Sequence, residues 1–91
     1  MRVVYTRPAK ADLDRILDYL RDRNPAAATR LAALIRARLK LLSKQPRMGR
    51  PVVERPATRE LMVQAYVLVY RVLEDRIEIL RVWHGAQDRG T

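Results

Sequence analysis

The chain has 91 residues, with 19 Lys and Arg against 10 Asp and Glu, one histidine and no cysteine. That length makes a single domain, residues 1–91, whose folding hides roughly 64% of the unfolded surface, enough for one small core. The composition excludes disulfides, thiolate zinc and a cysteine nucleophile, and no apolar run approaches the ~20 residues of a membrane span, so a cytoplasmic protein is the expectation.

Arg2 to Tyr5 is short and rich in β-formers and reads as a first strand. Thr6 followed by Pro8 predicts a helix start, a hydroxyl cap with a proline where a missing N–H is harmless. Ala9, Leu13, Ile16, Leu17 and Leu20 form one apolar stripe at helical spacing, and Lys10, Asp14, Arg15, Asp18, Arg21 and Asp22 the solvated side. Asp12 and Asp14 are expected to favour the helix dipole, and the aspartates along this helix read as solvated surface. Asn24-Pro25 ends this helix and caps the next. There Ala28, Leu31, Ala32, Ile35, Leu39 and Leu42 make a second stripe, widened by Leu34 and Leu41, opposite Arg30, Arg36, Lys40 and Lys44. Two amphipathic helices joined this tightly form a helical hairpin.

Gln45 to Pro56 holds three prolines and Gly49 and reads as a loop, with an extended piece at Val52-Val53. Three strands follow, Arg59 to Gln64, Tyr66 to Leu73 and Ile77 to Trp83. The breaks at Gln64-Ala65 and Glu74-Asp75 leave room only for tight turns. The order β-α-α-β-β-β is an α+β layer, with a helical hairpin packed on one face of a small antiparallel sheet.

Period-two alternation sorts the strand side chains. Tyr66, Leu68, Tyr70 and Val72 oppose Val67, Val69, Arg71 and Leu73; Glu78, Leu80, Val82 and His84 oppose Ile77, Ile79, Arg81 and Trp83. A core arginine is expensive, so the sets with Arg71 and Arg81 are assigned to the face away from the helices. Those sets are apolar for a solvated surface. Either a partner covers them or the strands are buried on both faces.

Catalytic signals are sparse. Ser43, the sole serine, ends a helix, and three glycines cannot make a phosphate cradle. His84 is the one imidazole available as a general base, and equally a hydrogen-bonded strand end. Tyr66 and Tyr70 read as core aromatics, and Trp83 as an anchor for a partner. The +9 charge implies an acidic partner; a GC-rich genome accounts for arginine over lysine but not for the net charge.

Several stretches together resemble the RelE/ParE superfamily of type II toxin–antitoxin toxins over nearly the whole chain. They are Ala9-Lys10-Ala11-Asp12-Leu13 with Ile16 and Tyr19; Asn24-Pro25-Ala26-Ala27-Ala28; Leu42 with Pro46, Gly49 and Arg50; Arg59-Glu60-Leu61; Tyr66 to Val72; and Ile79 to Ala86. The resemblance implies the β-α-α-β-β-β fold, no cofactor, and an acidic, ParD-like antitoxin whose C-terminal part folds on the toxin, with Leu13, Leu17, Arg71, Arg81 and Trp83 as expected contacts. It also implies one of two activities. RelE-like members cleave mRNA on the ribosome using basic residues of the open sheet face; ParE-like members poison DNA gyrase without a known catalytic constellation. In this chain Val67 stands where RelE-like nucleases resemble one another in carrying arginine. Glu60, Met62 and Gln64 occupy a strand where they place basic residues, and seven residues follow His84 where a catalytic helix is expected. A nuclease would have to rely on Arg71, Arg81 and His84. The ParE-like branch is therefore the expected one, with the ribosome-dependent endoribonuclease as the alternative and an inert module that sequesters antitoxin as a third reading.

Overall fold

The structure is a computed structural model, described here over residues 1–85. The elements run β1 (Arg2–Tyr5), α1 (Arg7–Arg23), α2 (Pro25–Lys44), β2 (Arg50–Pro51), β3 (Thr58–Val63), β4 (Tyr66–Val72) and β5 (Arg76–His84). Ala86, the last residue of the resemblance, lies outside the described residues, as does the rest of the expected domain beyond it.

Both helices start where the sequence places their caps. Thr6 Oγ1 accepts from Ala9 N at 3.4 Å, and Asn24 Oδ1 accepts from Ala27 N at 3.1 Å. Asn24 alone separates α1 from α2, so the two pack as a hairpin. Ala9, Leu17, Leu31, Ile35 and Leu42 bury their side chains against Leu61, Leu68, Tyr70, Ile77, Ile79 and Val82 of the sheet. Leu41 departs from the expected stripe and is 43% exposed.

The sheet has five strands in the order β1-β5-β4-β3-β2. It is mixed rather than antiparallel, because β1 pairs with β5 in parallel, from Arg2 opposite Arg76 to Tyr5 opposite Ile79. A parallel neighbour needs a long crossover, and here the whole helical hairpin and meander supply it. The extended piece in the loop is Arg50–Pro51, opposite Glu60 and Arg59, and not Val52-Val53. An edge strand tolerates a proline.

The loop before β3 is fastened by Tyr70. Its hydroxyl accepts from Gly49 N at 2.9 Å and donates to the Pro46 carbonyl at 2.7 Å. Arg59 donates to the Gly49 carbonyl at 2.7 Å. A Cβ on Gly49 would stand 2.6 Å from the Glu60 carbonyl oxygen and 2.6 Å from the Tyr70 hydroxyl, so this close approach requires glycine. Burial pushes the Tyr70 phenol above its usual pKa, against the opposing effects of the Gly49 hydrogen bond and nearby Arg59.

One irregularity reorders the sheet faces. Val69 pairs with Arg81 and Tyr70 with Ile79, which leaves Leu80 as an extra residue in β5. This is a β-bulge, and it breaks the period-two count. Ile77 and Ile79, assigned by alternation to the face of Arg81, instead join the core under the helices, as does Val82. Glu78 moves the other way and faces Arg71 across the strands, with Nη2 to Oε1 at 2.7 Å. The face away from the helices thus reads in rows: Met62, Val67 and Trp83; Glu60, Val69 and Arg81; Thr58, Arg71 and Glu78. Val67 and Val69 are 0% and 5% exposed, so β4 is buried on both sides at its centre. Gly85 lies close to Val67.

Candidate functional site

The expected site residues divide by position. Leu17 is in the core, and Leu13 packs against it half-buried, so Leu17 has little surface left for a partner. Arg71 is exposed and bound to Glu78, which Arg76 also contacts at 3.1 Å. The Arg71 hydrogen bond outweighs desolvation and, with Arg76, holds the Glu78 carboxyl below its usual pKa.

Arg81, Trp83 and His84 meet at the end of β5 with α1. β1 stops at Tyr5 opposite Ile79, and the edge of β5 beyond that point loses its strand partner. Asp12 of α1 takes the vacated place. Its Oδ2 accepts from Val82 N at 3.0 Å, as a neighbouring strand would. The same carboxylate accepts from two nitrogens of Arg81, Nε to Oδ2 at 2.8 Å and Nη2 to Oδ1 at 3.0 Å, and from Arg15 Nη2 at 2.9 Å. Asp12 is 2% exposed and lies beyond the first turn of α1, so its expected role as a solvated residue favouring the helix dipole is corrected. Burial alone would raise its pKa. The bonds from Arg81, Val82 and Arg15 prevail and hold it below the ordinary carboxylate range.

Beside this pair is a cleft of about 570 Å³ whose walls include Arg15, Tyr19, Tyr66, Arg81, Trp83 and His84. Tyr19 is 56% exposed. The Arg81 guanidinium lies 5.5 Å from the Trp83 ring centroid, and the His84 and Tyr66 rings meet edge to face at 5.3 Å. Trp83 Nε1 is buried and finds no hydrogen-bond acceptor among the described residues. An indole N–H in that state costs about 1–3 kcal/mol until an acceptor reaches it. Aromatic and arginine side chains around a concavity are the composition of an interface centre. Among the described residues no group of His, Asp and Glu could hold a metal ion, and no helix is long and apolar enough to cross a membrane.

Residues 3–89 match the family described as ParE toxin of type II toxin-antitoxin system, parDE. The chain belongs to the ParE toxin family. Similar members of this family and its RelE kin carry both names. Toxin RelE1 of Caulobacter vibrioides is 40% identical over 85 residues, covering 89% of each chain. Toxin ParE3 of the same organism is 33% identical over 86 residues, covering 92% of this chain and 86% of its own. Among solved structures, a chain of the chromosomal ParDE system from P. aeruginosa superposes with a TM-score of 0.77 at 31% identity, covering 92% of this chain and 95% of that one. A chain of the toxin–antitoxin complex RelBE2 from Mycobacterium tuberculosis gives 0.64 at 28% identity, covering 91% and 95%. The expected superfamily and its two-helix α+β fold are thereby established for this ParE-family chain.

Sequence reasoning missed Asp12 as the partner of Arg81. The only local signal was its place at the margin of the apolar stripe, one position before Leu13.

Proposed function

We propose that this ParE-family chain is a toxin neutralised by a cognate acidic antitoxin, and that it acts on DNA gyrase by binding rather than by cleaving RNA. One observation supports this most. Arg81 and Arg71, the arginines a nuclease of this fold would need against phosphate, are each bound to a carboxylate, Asp12 and Glu78. Stabilising a pentavalent phosphorus calls for cations aimed at the reacting group in advance, and a carboxylate at 2.7–3.0 Å opposes that field. For antitoxin binding, the cleft beside Trp83 supplies aromatic surface to cover, from Trp83, Tyr66 and the exposed Tyr19, and an indole N–H without an acceptor among the described residues. The contacts proposed are Trp83, Arg81 and Arg71, with Leu13 at the margin.

Expression without antitoxin tests the target. A gyrase poison gives filamentous cells, an induced DNA-damage response and continuing protein synthesis. The purified chain should then inhibit supercoiling and leave ribosome-bound mRNA intact. Cut mRNA with untouched supercoiling would establish the RelE-like alternative, and neither effect would leave only the antitoxin-sequestering module.

A further inference from the structure

The net charge is concentrated in one segment. Residues 23–53 hold eight Lys and Arg and no Asp or Glu, whereas the remainder of the chain is nearly balanced, with eleven against ten. The segment consists of α2 and its flanks. α2 alone carries Arg30, Arg36, Arg38, Lys40 and Lys44 and no carboxylate.

Pairing shows the same contrast. Among the described residues, the ion pairs lie within α1, within β4 and β5 with their connecting turn, between α1 and β5, and between Arg50 and Glu60. Among the described residues no cation of α2 pairs with a carboxylate; the charge of Arg36 acts on the nearby Tyr5 phenol, and Arg38 donates to the Met62 carbonyl at 3.5 Å. The other four share one exposed stripe. At 100° per residue Arg30, Arg36, Lys40 and Lys44 fall within about 120° of each other, along a row about 21 Å long. Between them lie only small residues, Thr29, Ala33 and Ala37, all exposed. Arg36, Lys40 and Lys44 repeat at four-residue spacing, where like charges repel and weaken a helix. Among the described residues no carboxylate offsets that repulsion, and the helix dipole favours only Lys44, in the last turn.

The chemistry of the stripe selects its ligand. A protein partner needs apolar anchors, and Leu41 is the one large apolar side chain that α2 exposes. Single-stranded nucleic acid needs aromatic platforms, and α2 has no aromatic residue. The A-form major groove is too narrow for a helix, whereas B-DNA admits one between rows of regularly spaced phosphates. We propose that the outer face of α2 binds the phosphate backbone of duplex DNA without regard to sequence. This surface is on a different element from the Trp83 cleft and stands or falls independently of the toxin's target.

The test is fluorescence anisotropy of the purified chain with a labelled 25-base-pair duplex of random sequence. Four phosphate contacts give a slope of log K against log[salt] of about −3.6, so raising salt from 50 to 200 mM should weaken binding about a hundredfold. The variant Arg30→Gln/Arg36→Gln/Lys40→Gln/Lys44→Gln should lose at least about tenfold in affinity at 50 mM and most of the slope. The double variants Arg30→Gln/Arg36→Gln and Lys40→Gln/Lys44→Gln should each lose about half the slope, which keeps the test usable if the quadruple variant folds poorly. A control with the same charge change elsewhere, Arg7→Gln/Lys10→Gln/Arg21→Gln/Arg55→Gln, should retain the slope. No binding to DNA at 50 mM overturns the proposal. So does an equal loss in the control, and so does tighter binding to polyglutamate than to the duplex, which would assign the stripe to an acidic protein.

Discussion

Replacing Asp12 by Asn should destabilise the chain by about 2–3 kcal/mol. The carboxylate is nearly sealed from solvent and accepts four hydrogen bonds, from Arg81 twice, Arg15 and Val82 N. An amide of the same size keeps one accepting oxygen and turns an NH₂ toward a guanidinium. Removing one partner of a buried pair costs about 3–5 kcal/mol. Here the arginines retain partial access to water, with 46% of the Arg81 side chain and 69% of the Arg15 side chain exposed, so part of that penalty is relieved by solvation. For a domain of this size each kcal/mol moves Tm by about 4–8 °C, and Asp12→Asn should lower Tm by about 10–20 °C at pH 7 by circular dichroism. The same bond makes stability depend on pH. The folded pKa of Asp12 lies below its unfolded value, so its contribution is complete above about pH 5 and is lost as pH falls through the folded value, below about pH 4. Asp12→Asn should flatten the stability curve between pH 5 and 3. A Tm within two degrees of the parent, or an unchanged acid limb, would refute this account of how β5 is held to α1.

Tyr70→Phe leaves the Gly49 N–H and the Pro46 carbonyl without their partner and should cost about 1–3 kcal/mol in urea unfolding, with the m-value unchanged. Gly49→Ala forces a Cβ into the backbone of β3 and should cost about 1–3 kcal/mol, somewhat less in a Tyr70→Phe background where one of the three obstructing atoms is gone and the ring edge remains. His84→Gln should leave toxicity within a few-fold of the parent at equal expression; a general base would lose about 10²–10⁴ in rate, so a comparable loss in a folded His84→Gln protein would indicate catalysis. Arg81→Ala should reduce toxicity or antitoxin affinity more than His84→Gln does, by about thirtyfold, after folding has been verified because Arg81 also stabilises Asp12.

Local chemistry made most of this fold legible. Thr6-Arg7-Pro8 and Asn24-Pro25 announce both helix starts, and the apolar stripes of α1 and α2 identify their buried faces, because a cap and a 3.6-residue period are properties of neighbouring residues. What eluded the sequence depends on distant residues. A four-residue β1 carries no mark of its parallel partner. The bulge at Leu80 has no glycine or proline to signal it, so alternation ran one residue out of step and misplaced Ile77, Ile79 and Glu78. Asp12 resembles any other helix aspartate until Val82, seventy residues later, comes beside it. The site was half legible for the same reason: Arg81 and Trp83 could be named from their strand, but the carboxylate that fixes Arg81 could not.

The parallel pairing of β1 with β5 has a kinetic consequence. β5 fills the sheet between β1 and β4, so β1 has no strand to join until residues 76–84 exist. During synthesis the helices and the β3–β4 hairpin can form early, whereas Val3 and Tyr5 wait for Ile77 and Ile79. Closing a loop of that length costs roughly 4 kcal/mol of chain entropy before any contact repays it. Asp12 and Arg81 cannot meet earlier either. A nascent chain stalled before β5 therefore lacks both the completed sheet and the Trp83 cleft, and the surface proposed to meet the antitoxin is assembled late in folding.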